Sequence, residues 1–355
     1  MRPEPTLPRA PMAAPTAESA LAAPRRPSRW LAIPLFCLLA CLIPETVVTS
    51  ATSVTKIIGA PFSLVFVAVF YGTADLVIRE AIVRRRIGLA GKLLLGAAFG
   101  FYNEGVVAGT WYTVAPKGYV FLGVWNWGWA VSLTVFHVFV SVLAPIYLFD
   151  SVMPSYANTS LLRRRGIIVT SAIFLLLCLA IALGAHQYRP ERLAVYLAAL
   201  LLIALAFALP RPRAAPLPAV TTAPPAPGLW RLRLLGFLAL LLYFIAIYAA
   251  PSLLEKPLGA DSPLPALLSN GALLALAARG VALVVGWSRR PGWSPRRQLA
   301  LITGACVFGA LISAIGDHRE PLVTAPFILL LIILAWRARR AERPATPAAL
   351  SAPAL

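Results

Sequence analysis

Residues 71–112 read YGTADLVIREAIVRRRIGLAGKLLLGAAFGFYNEGVVAGTWY. Two apolar runs lie on either side of a cluster of three arginines, Arg84 to Arg86. The runs do not alternate in polarity, so they are not half-buried strands or the strands of a membrane barrel. Each is about as long as a helix needs to be to cross a bilayer, roughly 17–25 residues. The pattern is therefore two membrane-crossing helices joined by a short basic turn.

The same pattern continues in both directions. Apolar runs fall at 30–49, 61–83, 93–113, 123–148, 167–185, 193–209, 234–252, 264–287, 299–316 and 323–337. Hydrophobic residues make up 59% of the chain and charged residues 13%, about half the charge of a soluble domain. The expected fold class is all-α, a polytopic transmembrane helix bundle of about ten crossings.

The net charge of +19 would point to nucleic acid in a soluble protein. Here the basic residues cluster beside apolar runs, which is the orientation signal of a membrane protein. With ten crossings and a cytoplasmic N-terminus, 24 of the 32 basic residues fall in cytoplasmic segments and six outside. Arg79 and Arg279 stay within helices. A miscounted helix would invert every later loop, so the asymmetry supports ten crossings with both termini in the cytoplasm. The expected partner is the lipid bilayer, with a membrane-protein or peptide partner in addition and no nucleic acid. Arginine outnumbers lysine 28 to 4, as in a GC-rich genome, so the expected location is a bacterial plasma membrane.

Composition divides the chain further. Residues 1–29 and 338–355 read as disordered cytoplasmic tails. The first apolar run begins at Trp30, after a basic stretch too long for a signal peptide, and reads as a retained helix. Residues 210–229, PRPRAAPLPAVTTAPPAPGL, head a Pro/Ala-rich linker drawn to 232. It separates a six-helix block, 30–209, from a four-helix block, 233–337. Arg165 to His186 and Arg297 to His318 have equal spacing in similar contexts, so helices 5–6 and 9–10 read as related hairpins. The four cysteines, Cys37, Cys41, Cys178 and Cys306, lie in apolar runs without a CxxC pair and read as buried apolar residues. Trp125, Trp127 and Trp129 fit an aromatic belt.

Ionisable groups inside hydrocarbon are costly, so they locate function. The candidates are Asp75, Arg79 and Glu80 in helix 2, Glu104 with its neighbour Asn103 in helix 3, His137 in helix 4 and Arg279 in helix 8. Glu104 is twelve residues from Lys92, about 18 Å along a helix. His137 is thirteen residues from Asp150, about 20 Å. The two therefore share a level near mid-membrane on consecutive antiparallel helices. Gly96, Gly100, Glu104 and Ala108 form one i, i+4 row of mostly small residues, a helix–helix seam that turns Glu104 towards protein. Thr134, His137 and Ser141 share a face of helix 4. Asp75 and Arg79, also i, i+4, are expected to neutralise each other, and Arg279 to snorkel to the headgroups.

The stretch 71–146 resembles the core of the PrsW and CPBP (CAAX-protease) intramembrane proteases. The matching pieces are LVIREAIVRRR with Glu80, GAAFGFYNEGVVAGTWY with Glu104, and FHVFVSVLAP with His137. Arg79-Glu80 stands where that pattern has paired glutamates, and Gly105 where PrsW has asparagine. The resemblance implies Glu104, His137 and Glu80 as catalytic residues. Glu104 and His137 would bind a divalent metal such as zinc or activate water. From the residues alone three functions stay open: an intramembrane hydrolase, a proton- or ion-coupled transporter or permease, and a non-catalytic membrane scaffold. No P-loop or dinucleotide fingerprint is present.

Overall fold

The computed structural model describes residues 28–49, 60–113, 117–121, 123–184, 190–211, 224–259, 261–316 and 321–341. These form an all-α bundle. Helix α1 spans Arg29–Cys41 and continues through a π-helical turn, Leu42–Val48. Helix α2 is Pro61–Arg85. Helix α3 is Leu89–Gly100, extended by a π-turn at Phe101–Val107. Helix α4 runs through Trp127–Phe136, a π-turn at His137–Leu143, and Ala144–Val152. Helices α5 and α6 are Arg164–Gly184 and Glu191–Ala208. Helix α7 comprises Leu229–Phe244, a π-turn Ile245–Ala249 and Ala250–Leu258. Helices α8, α9 and α10 are Leu264–Ser288, Pro295–Gly316 and Pro321–Ala341. Among the described residues, eight helices are long and apolar enough to cross a membrane. The apolar core of α10, Thr324–Leu334, is shorter, and α3 is not among the eight, where the sequence reading expected about ten crossings.

Some boundaries differ from the sequence reading. Helix α4 starts at Trp127, not at 123, because Val120–Phe121 (β1) and Trp125–Asn126 (β2) pair as a short antiparallel hairpin. Asn126 then caps α4, its Oδ1 accepting from the Trp129 N–H at 3.1 Å. Helix α7 starts at Leu229, inside the stretch read as linker. Of that linker, residues 224–228 are non-helical and dock on the α8–α9 turn: Ala226 N–H donates to Pro291 O and Arg297 Nε to Pro227 O. Helix α10 runs to Ala341, past the expected tail boundary. The tails at 1–27 and 342–355, and the turns holding His186 and His318, lie outside the described residues.

Helices α1 and α4 are the most buried spans and α5 the least. Phe36 of α1 meets Phe149 of α4 edge-on, with ring centroids 5.2 Å apart. Small residues set the closest approaches. A Cβ on Gly96 would lie 2.9 Å from Val138 Cα, and one on Gly100 would lie 3.1 Å from Thr134 Cα. The expected glycine row is thus the α3–α4 seam, where two backbones touch. Gly236 of α7 and Gly304 of α9 make a second seam, each against the other helix's backbone. Helix α9 also packs on the π-turn of α1, with Ser313 Oγ donating to Val47 O at 3.2 Å. One core therefore runs through both helix blocks.

The two hairpins read as repeats differ in packing. Helices α9 and α10 lie against each other, whereas α5 packs on α2 and α6 on α3. The reason is local. Gly91 of α3 leaves room for the Ala206 backbone, and Gly105 for Val195, so α6 is drawn onto α3.

Candidate functional site

Helices α1, α3 and α4 each widen into a seven-residue π-turn, and these turns carry buried Thr46, Asn103, Glu104, His137 and Ser141. A π-turn adds a residue to the helical turn and shifts the side chains around it, a distortion frequent at functional sites. In α3 the shift shows in the Ala108 N–H, which donates to Asn103 O five residues back, at 2.7 Å.

Glu104 and His137 meet where the α3 and α4 turns face each other. Glu104 Oε1 lies 2.7 Å from His137 Nε2. This distance is that of a short hydrogen bond between carboxylate and imidazole. The other ends of both groups are engaged. Thr110 Oγ1 donates to Glu104 Oε2 at 2.5 Å, and His137 Nδ1 sits 2.9 Å from Ser141 Oγ. Asn103 Nδ2 donates to Glu104 Oε1 at 2.9 Å, and lies 3.2 Å from His137 Nε2 and 3.4 Å from Tyr71 Oη. The imidazole is boxed by aromatic rings. Phe99 and Phe136 stand edge-on at 5.3 and 5.6 Å, and Tyr71 stacks at 6.4 Å. His137 is 2% exposed and Glu104 8%.

Sequence reasoning missed Glu45, in the π-turn of α1, whose side chain lies beside Tyr71. A signal was present: Cys37, Cys41 and Glu45 form an i, i+4, i+8 row along one helix face. It was missed because the acid lies close to the end of its run. Tyr71 joins Glu45 to Asn103 and so to the pair. Thr110 was hidden in a loop beyond the helix. Thr134 faces the seam, but its hydroxyl is spent on its own helix, donating to Ala130 O at 2.6 Å.

The structure does not bring Glu80 to the pair. Its Oε1 accepts from the backbone N–H groups of Leu161 and Leu162 at 2.6 and 3.1 Å, and its Oε2 pairs with Arg84 at 2.8 Å. It anchors the segment ahead of α5. Nor does Arg79 neutralise Asp75. Arg79 is 1% exposed and turns to α4, where it pairs with Asp150 at 2.9 Å. It also donates to Tyr156 O at 2.5 Å and Thr159 O at 3.2 Å. Three acceptors outbid one neighbouring carboxylate because a fork of guanidinium donors can satisfy them together. Asp75 is left fully buried, with neither oxygen hydrogen-bonded among the described residues. Arg279 is exposed on α8.

A zinc ion does not fit this arrangement. Two ligand atoms on a tetrahedral zinc, each about 2.0–2.1 Å from it, stand roughly 3.3 Å apart. Glu104 Oε1 and His137 Nε2 are closer, at 2.7 Å, and an amide N–H group of Asn103 aims at the carboxylate. Among the described residues no group of three or more His, Cys, Asp or Glu side chains is placed to hold a metal.

A polar cleft of about 190 Å³ lies nearby, between α4, α7, α8 and the β-hairpin. Asn126, Ser132, Glu255, Ser269 and Asn270 line it together with Tyr119. Burial, and then the facing Glu255 carboxylate, push the Tyr119 phenol above its ordinary range. Ser132 is five residues before His137, about 7.5 Å along the helix.

A family model described as an uncharacterized membrane protein family matches residues 34–351. No curated protein and no solved structure matches the chain.

Proposed function

We propose that this chain, which belongs to an uncharacterized membrane protein family, is a proton-coupled membrane transporter whose acid–base centre is the Glu104–His137 pair. The observation that carries the reading is the 2.7 Å contact between Glu104 Oε1 and His137 Nε2, buried in the bundle. Intramembrane acids and histidines commonly serve as proton relays. A proton is the one reactant that needs no room inside the box of Phe99, Phe136 and Tyr71. The cleft at Ser132 and Asn270 offers a polar chamber for a small solute, and Glu255 makes it suited to a cation. The positive-inside count supports both termini in the cytoplasm, and the arginine-rich composition supports a bacterial plasma membrane.

A second reading, the hydrolase, has one observation in its favour. Ser141, His137 and Glu104 form an unbroken chain of hydrogen bonds, the order in which a hydroxyl is activated by a base that a carboxylate orients. The resemblance to PrsW and CPBP proteases supports it too. Against it, Ser141 is fully buried and aromatic rings close over the base.

The two readings separate in proteoliposomes loaded with a pH-sensitive dye and challenged with a panel of small cationic solutes and a membrane-spanning peptide. Transport predicts solute-dependent proton flux that is lost in Glu104→Gln and His137→Ala. Equal flux in wild type and both variants overturns it. Peptide cleavage that is lost in Ser141→Ala overturns it in favour of the hydrolase.

A further inference from the structure

Asp75 lies about 13 Å, nine residues, from Arg84 along α2, deep in the bundle. It is 0% exposed, and both carboxyl oxygens lack a hydrogen-bond partner among the described residues. The helices around it seal it in. On the same face of α2, Gly72 approaches α1 so closely that an added Cβ would meet Cys37 Cβ at 2.5 Å. Small residues at such a contact exclude lipid.

An ionised carboxylate in this place would have neither a counter-charge nor a donor. That costs far more than taking up a proton. The ionisable groups nearby do not change this. Arg79, one turn along, is committed to Asp150, and Glu80 to Arg84. On α1, Glu45 is engaged with Tyr71, and Cys41 lies beside Glu45. On α3, Lys92 reaches Tyr147 and Glu104 holds His137. On α5, Cys178 contacts Tyr102. Cys37 is the ionisable group that faces Asp75 across the α1–α2 seam, and a thiol supplies no positive charge.

We propose that Asp75 is a second proton-binding site of the membrane interior, a neutral carboxylic acid that exchanges its proton along the α1–α2 seam. The seam runs from Cys37 past Cys41 to Glu45 on α1, and from Asp75 to Tyr71 on α2. It ends at the Tyr71–Asn103 contact, and so at the Glu104–His137 pair. The proton itself is the ligand. The occupancy of Asp75 rests on its burial alone. The exchange route deepens the proposed function, because it gives the pair a partner to trade protons with.

Infrared spectroscopy of the purified protein, labelled with carboxyl-¹³C aspartate, tests both parts. The expected result at neutral pH is a carboxylic-acid C=O band that disappears in Asp75→Asn, moves out of the labelled set in Asp75→Glu, and persists in Glu104→Gln. On transfer to D₂O, the band's deuterium shift is expected to slow at least tenfold in Tyr71→Phe. No such band in the wild type, or the same band in Asp75→Asn, overturns the site. An unchanged exchange rate in Tyr71→Phe overturns the route. Loss of transport in Glu104→Gln with the Asp75 band intact leaves the two proposals separately judged.

Discussion

His137 shows how much chemistry one side chain gathers when its helix widens around it. Its two ring nitrogens face a carboxylate on another helix and a hydroxyl four residues on. Matching depths along α3 and α4 brought Glu104 and His137 to one level from sequence alone, because helical rise is constant at about 1.5 Å per residue. The same arithmetic could not say which neighbour Arg79 would choose. Spacing offered Asp75, but the fold put Asp150 and two loop carbonyls within reach. Arg79→Met is therefore expected to strand Asp150 and release the Tyr156 and Thr159 carbonyls, a cost of roughly 3 kcal/mol, as for breaking a buried pair. Thermal unfolding in detergent checks this. The double variant Arg79→Met with Asp150→Leu should recover most of the loss, since no orphaned charge then remains.

At the scale of elements, the glycines decide which helices touch. Gly96 and Gly100 let α3 and α4 meet backbone to backbone, and that contact brings Glu104 to His137. Gly96→Ala places a methyl against Val138 Cα and is expected to destabilise by about 1–3 kcal/mol. It should also weaken the pair by forcing the helices apart. Gly271 of α8 meets nothing within 4 Å, so Gly271→Ala should be neutral, or stabilising by up to about 1 kcal/mol from helix propensity. Unfolding curves of the two variants side by side give the comparison. The seam was legible because small residues every fourth position form a visible row. Its partner was not, since the row does not say which helix fills it. The π-turns were not legible either. Nothing in LIPETVV, FYNEGVV or HVFVSVL marks an extra residue per turn, because the widening is enforced by the packing of neighbours.

At the scale of the whole molecule, the arrangement is a buried pair of helices, α1 and α4, surrounded by helices whose outer faces are leucine-rich and exposed, α5 and α6 above all. Such surfaces suit hydrocarbon and not water. The distribution of arginines predicts that the α2–α3, α4–α5, α6–α7 and α8–α9 connections face the cytoplasm. Reporters active only in the cytoplasm are expected to work when fused after residue 343 and within 212–223, and to fail when fused within 185–189. Activity at 185–189 would require a different count of crossings.

What the sequence determined by itself was the solvent and the periodicity. Long apolar runs cannot satisfy their backbones in lipid except as helices, so the fold class and the shared level of Glu104 and His137 followed from local physics. The tertiary structure alone decided the partners. Glu80 went to the turn ahead of α5 and Arg79 to Asp150, while Glu45 and Thr110 entered the site and Asp75 was left without a donor. The reason is physical. A side chain's level along a helix depends on residues near it in the chain. Its hydrogen-bond partner depends on which helix packs beside it, and that is settled by the joint fit of all the seams.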